Sequence, residues 1–232
     1  MRKLNLLLHL FLPLMVVMVL VDFGGQVHVL RLLFKPLIMV WVALYFVVNL
    51  KDRNHPILLP AMLAFFFSWM GDIALLFSGS LFFLTGLGSF LISHLCYIWL
   101  FQRRVGRFKN TLLARRPLWI LPFLLYAILL AWILLPRVNI SLKIAILFYT
   151  ATILAMAVSA LDRKGAVTES SFLLVMAGAL LFLVSDSTIA INRFVVKIPW
   201  SGYWVMSTYI AAQVLIMLGL LAEANHEPSN EK

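Results

Sequence analysis

Residues 65–77 read FFFSWMGDIALLF and set one carboxylate, Asp72, inside a run apolar enough to cross a bilayer. Residues 179–194, ALLFLVSDSTIAINRF, repeat the device with Asp186, 114 positions further along a chain of 232. A charge at membrane depth costs at least about 2.5–3.5 kcal/mol even on insertion scales, so an acid placed there points to function first. These two acids are the centre from which the rest of the chain is read.

Composition agrees with a membrane setting. Hydrophobic residues make up 63% of the chain and charged residues 12%, against roughly 45–50% and about 25% in a soluble domain. No long polar linker divides the sequence, so one bundle over residues 1–222 is expected, followed by a polar tail, 223–232, expected to be disordered. The single cysteine, Cys96, excludes an intrachain disulfide and reads as packing. A net charge of +10 would point to nucleic acid if the cations formed a stripe. They fall instead in the gaps between apolar runs, so the bilayer is the expected partner and nucleic acid is not. The start, MRK before a long apolar run with no A-x-A-like site, reads as a retained spanning helix.

Apolar runs of about 17–25 residues give eight spans: 4–21, 33–50, 57–77, 81–101, 117–135, 140–161, 171–192 and 200–222. The expected fold is therefore all-α and polytopic, with eight transmembrane helices. Lys35-Pro36 would open the second span, since a first-turn proline lacks only an N–H that has no partner there. With a cytoplasmic N-terminus the inner segments hold 13 Lys and Arg and the outer ones 6, which favours both termini inside. SWMGDIALLF and FLVSDSTIAI share a small residue before the acid and an apolar turn after it. Each lies in the third helix of a four-helix half, 1–101 or 117–222, which describes a possible parallel repeat.

Both acids sit late in helices of the same direction, so they reach similar depth and one cavity can receive both. Two carboxylates in a low-dielectric cleft do not both stay ionised. One protonated acid beside one carboxylate suits general acid catalysis on a bond that breaks through a cationic carbon. The blander alternative for Asp186 is neutralisation by Arg193, two turns on. Around the acids stand supporting candidates. Ser68 is one turn before Asp72, and His94 has Tyr97 one turn on; Tyr209 and Gln213 share a helix face, and Tyr149 and Asn192 are further polar groups. Each also reads as a packing or helix-end residue. Lys35 is expected at the outer mouth, holding a lipid phosphate as a point charge or simply snorkelling to the interface. No zinc-like His/Cys spacing, Gly-x-Ser-x-Gly elbow or phosphate loop occurs, so neither a metal nor a cofactor is expected. Gly86, Gly178 and the Ala151/Ala155/Ser159 row read as close helix packing.

Several pieces, taken in order and spacing, resemble one family. They are Lys35-Pro36, S-x-x-G-D ending at Asp72, F-x-x-S-H-x-x-Y through His94 and Tyr97, and Tyr149. G-A-x-x-F-x-x-S-D ending at Asp186 and M-x-x-Y-x-x-x-Q through Met206, Tyr209 and Gln213 complete the set. From Lys35 to Gln213 the chain is similar to the YhhN family of membrane proteins, related to the animal transmembrane lysoplasmalogenases. The resemblance implies an integral membrane hydrolase of the bacterial cell membrane. Its substrate would be a lysophospholipid, whose vinyl ether bond is cleaved to a fatty aldehyde and a glycerophospho-base. One aspartate would donate the proton and the other would stabilise the cation and orient water. Two other classes stay open: a proton- or cation-coupled transporter using both acids as a relay, and a non-catalytic lipid-binding scaffold.

Overall fold

The computed structural model describes Pro13, residues 28–103 and residues 112–226. The expected first span (Pro13 excepted), most of the basic loop and residues 227–232 lie outside the described residues. Among the described residues every regular element is a helix. In chain order these are α1 (His28–Asn49), α2 (Leu58–Ala74), α3 (Ser80–Gln102), the single-turn α4 (Leu112–Arg115), α5 (Leu121–Leu134), α6 (Ile140–Asp162), α7 (Glu169–Phe194) and α8 (Ser201–His226). Short 3-10 turns, Pro117–Ile120 and Leu135–Arg137, extend α5 at both ends. Among the described residues six helical stretches are long and apolar enough to cross a membrane, and α2, at 17 residues, is a shorter apolar helix. The described part of the protein is thus all-helical, and the protein is of multi-pass type.

Helix ends follow local chemistry. Asn139 caps α6 by accepting from the Leu142 N–H at 3.0 Å, and Thr168 caps α7 by accepting from the Ser171 N–H at 3.3 Å. Glu169 in the first turn of α7 and Arg193 in its last complement the helix dipole. Two ends differ from the sequence reading. Helix α1 is already helical at His28, the first described residue of this stretch and five positions before Leu33, so Pro36 lies inside it. An interior proline deletes one backbone hydrogen bond, a loss that neighbouring helices let membrane helices carry. Helix α8 runs through His226 into the stretch expected to be tail, because Asn225 has a partner. Its Nδ2 donates to the Asn49 carbonyl at 2.9 Å and its Oδ1 accepts from the Lys51 N–H at 3.0 Å. An otherwise orphaned carbonyl at the end of α1 is thereby satisfied.

The chain divides into two compact units, Met1–Tyr97 with Leu220–Lys232, and Ile98–Gly219, with the boundaries falling inside α3 and α8. In the first unit α1 packs along α2. Phe46 meets Phe65 edge-on at 5.5 Å between ring centroids, and Phe65 meets Tyr97 at 6.5 Å. In the second unit α6 packs along α7, and α5 lies against both. Leu130, Leu134 and Ile146 form a core there, with Ile191 and Phe194 against it. Helices α7 and α8 approach closely at Gly178, where a Cβ would stand 2.8 Å from the Ala212 carbonyl, and at Gly219, where one would stand 2.6 Å from Val175 Cγ2.

Candidate active site

In the first unit, α2 carries Asp72 to a position only 2% exposed. Its neighbours on the same helix, Gly71 and Ala74, are buried too, so the carboxylate lies within packed helix. Helix α1 supplies its counter-charge: Lys35 Nζ lies 3.4 Å from Asp72 Oδ1. Lys35 is itself 8% exposed. Expected at a water-facing mouth, it is buried as the partner of Asp72. Ser68, one turn before Asp72, shares a 2.8 Å hydrogen bond with Ser93 of α3. Ser93 donates in turn to the Ala64 carbonyl at 2.9 Å. The adjacent His94 is fully buried, as is Tyr97 one turn on. Lys35, Ser68, Asp72 and His94 thus belong to one unit, and Ser93 joins them unforeseen. Its signal was the S-H dipeptide, in which only the histidine drew attention.

In the second unit, Asp186 sits on α7 at 9% exposure and accepts a short hydrogen bond from the Tyr149 hydroxyl of α6. Two serines flank the acid. Ser185 donates to the Val205 carbonyl of α8 at 3.2 Å, and Ser187 shares a short hydrogen bond with the Tyr126 hydroxyl of α5. The turn bearing Asp186 is therefore tied to three other helices. Ser185 stood in the S-D pair of the motif without being given a role, and sequence reasoning missed Ser187 and Tyr126, since hydroxyls scattered along apolar helices carry no distinguishing spacing. Tyr209 of α8 packs edge-on against Phe182, one turn before Asp186, at 5.5 Å. Gln213, one turn beyond Tyr209, is fully buried. Asn192 acts locally, its Oδ1 accepting from the Ile198 N–H at 2.9 Å and so folding the link between α7 and α8.

Chemically, each unit offers a buried carboxylate with a polar partner on a neighbouring helix. Asp72 has the Lys35 ammonium beside it and Asp186 accepts from the Tyr149 hydroxyl. The fold and these two sites define an integral multi-pass membrane protein with ionisable groups held among apolar helices.

Comparison with known proteins gives the family. Residues 30–220 match the YhhN family, and the chain belongs to it. It is 33% identical over 178 residues to lysoplasmalogenase TMEM86A of Bos taurus, covering 75% of this chain and 70% of that protein. To lysoplasmalogenase TMEM86B of Sus scrofa it is 34% identical over 165 residues, 70% of this chain and 63% of that protein. To lysoplasmalogenase TMEM86A of Homo sapiens it is 30% identical over 177 residues, 75% and 69% of the respective chains. No solved structure matches.

Proposed function

We propose that this chain is a membrane hydrolase that cleaves the vinyl ether bond of lysoplasmalogens, releasing a fatty aldehyde and a glycerophospho-base. The observation that carries the reading is the buried ion pair of Lys35 and Asp72 at 3.4 Å within apolar helices. The names of the relatives, lysoplasmalogenases all, support the substrate class. We further propose eight crossings with both termini cytoplasmic, in a bacterial cell membrane.

The roles follow from the partners. Lys35 pairs with Asp72 as a carboxylate, and a carboxylate holds no proton to give. Asp186, held by the neutral Tyr149 hydroxyl, is the proton donor. It protonates the vinyl carbon remote from oxygen, and the double-bond electrons form the new C–H bond. The other vinyl carbon and the ether oxygen share the resulting positive charge. Asp72, anionic throughout, stabilises that oxocarbenium ion. Water adds to the cationic carbon and returns a proton to Asp186. The hemiacetal then expels the glycerol oxygen, which takes the hydroxyl proton, and the aldehyde remains. Ser68, His94, Tyr209 and Gln213 act on this scheme by orienting the acids and the lipid.

The test is aldehyde release from a choline lysoplasmalogen by purified protein. Asp186→Asn removes the proton donor and Asp72→Asn the stabilising charge. Each should lower kcat on the order of 10²–10⁴-fold. Turnover near wild type in Asp186→Asn removes Asp186 from the acid role.

A further inference from the structure

In the second unit, side chains tie together the ends of four spanning stretches. Gln102 closes α3, and its Nε2 donates to Ser159 Oγ in the last turn of α6 at 3.3 Å. Asp162 closes α6, and its Oδ1 accepts from the Leu113 N–H of α4 at 3.0 Å. Arg163, the next residue, is fully buried and donates from Nη2 to Ser171 Oγ in the first turn of α7 at 2.9 Å. The stretch that holds α5 begins at Pro117, just after α4.

Exposed cations gather on this end: Arg103 directly after α3, Arg115 and Arg116 directly before Pro117, and Lys164 shortly after α6. Arg103 lies over the Trp99 ring at 5.6 Å and Lys164 over the Phe172 ring at 5.7 Å. Two carboxylates share the end. Asp162 is taken up by the α4 backbone, and Glu169 stands in the first turn of α7, where the helix dipole favours it. Among the described residues here the cations prevail. Orientation in the membrane asks only that cations be numerous on one side. It does not ask that hydrogen bonds collect them, nor that Leu118 and Trp119, 72% and 47% exposed, come directly after Arg116 and Pro117. Cations at the ends of spanning stretches, beside an exposed tryptophan, stand at the level of lipid headgroups. A nucleic acid makes no use of the leucine and would have to reach cations already set among those headgroups.

We propose that this end of the second unit is a docking surface for the headgroup of an anionic glycerophospholipid. Charge complementarity selects the lipid. A zwitterionic headgroup sets its own ammonium against its phosphate, whereas an anionic one leaves a net negative charge for Arg103, Arg115, Arg116 and Lys164 to meet. The Leu118 and Trp119 side chains enter the boundary between headgroups and acyl chains beside it. On the orientation proposed above, the surface faces the cytoplasmic leaflet, where each basic residue near anionic lipid strengthens attraction about fivefold. Docking of this kind involves no turnover, so it stands or falls apart from the hydrolase reading.

Native mass spectrometry of the full chain tests this. The protein, in detergent, is offered equal amounts of phosphatidylglycerol and phosphatidylcholine with the same acyl chains, and the ratio of their single-lipid adducts is read. Wild type should favour phosphatidylglycerol at least about fivefold. Arg115→Gln/Arg116→Gln/Lys164→Gln should lower that ratio by about fivefold or more. Arg115→Lys/Arg116→Lys should hold it within about twofold of wild type, because charge rather than the guanidinium shape sets the preference. Arg137→Gln/Lys143→Gln/Lys197→Gln removes the same net charge at the opposite ends of α5 and α6 and beyond α7, and should leave the ratio as in wild type. Equal losses in the two triple variants would mean that net charge, not this surface, attracts the lipid, and the proposal would be wrong. Water-soluble glycerophosphoglycerol should not displace the bound lipid at equal concentration; if it does, the surface takes a soluble anion and docking to the bilayer is overturned. A wild-type ratio near one ends the proposal outright.

Discussion

Lys35 and Asp72 show how far a single residue's meaning depends on its partner. Alone in packed helix, either charge carries a desolvation cost of several kcal/mol; together they offset much of it. Removing one partner strands the other, a loss of about 3–5 kcal/mol, whereas removing both leaves nothing stranded. Lys35→Met and Asp72→Asn should thus each melt well below wild type in detergent. The double variant Lys35→Met/Asp72→Asn should melt above both, while lacking activity. Melting losses that simply add would mean the two groups are not coupled in the folded protein. The sequence made these residues stand out, because a charge in an apolar run is conspicuous. Their pairing was hidden: 37 positions and two helices separate them. The lysine near a helix start has a ready alternative in snorkelling, and only helix packing decides against it.

At the scale of helices, the second acid depends on how closely α7 and α8 approach. A side chain at 178 would meet Ile216 Cγ1 at 2.7 Å and, less forgivingly, the Ala212 backbone oxygen at 2.8 Å. Backbone cannot rotate aside as a side-chain end can, so the helices must part. Gly178→Val should cost about 1–3 kcal/mol through overpacking. It should also lower kcat by shifting the turn that Ser185 ties to Val205, which begins seven residues further on. Thermal melting and aldehyde release on the same preparation check this; wild-type values in both would mean the contact yields freely. Existence and approximate bounds of these helices were legible, since long apolar runs leave little choice of secondary structure. Their ends were less so. Pro36 read as a helix start, yet α1 extends a further two turns before it. The polarity of EANH read as tail, yet Asn225 finds its partners at the end of α1 and just beyond it. Both errors come from judging a helix end by its own residues when the deciding contact lies on another element.

Over the whole molecule, Asp72 belongs to one compact unit and Asp186 to the other. That division gives the proposed chemistry its sharpest demand. The resemblance in sequence named both acids and could do so from spacing alone, but joint action on one bond is a matter of energy, not of motif. Groups that serve the same transition state have losses that do not add, because once one is gone the other has little left to stabilise. Groups that act at separate steps or separate sites have losses that multiply. Asp72→Asn and Asp186→Asn should each lower kcat/KM by two or more orders of magnitude. The double variant Asp72→Asn/Asp186→Asn should fall little below the weaker single. Lys35→Met in each background extends the cycle: if Lys35 acts through Asp72, adding it to Asp72→Asn should change kcat/KM little, while adding it to Asp186→Asn should not exceed the loss from Asp72→Asn/Asp186→Asn. A double variant whose loss equals the product of the singles would mean that the acids work independently, and the one-bond mechanism would have to be given up even with both residues essential.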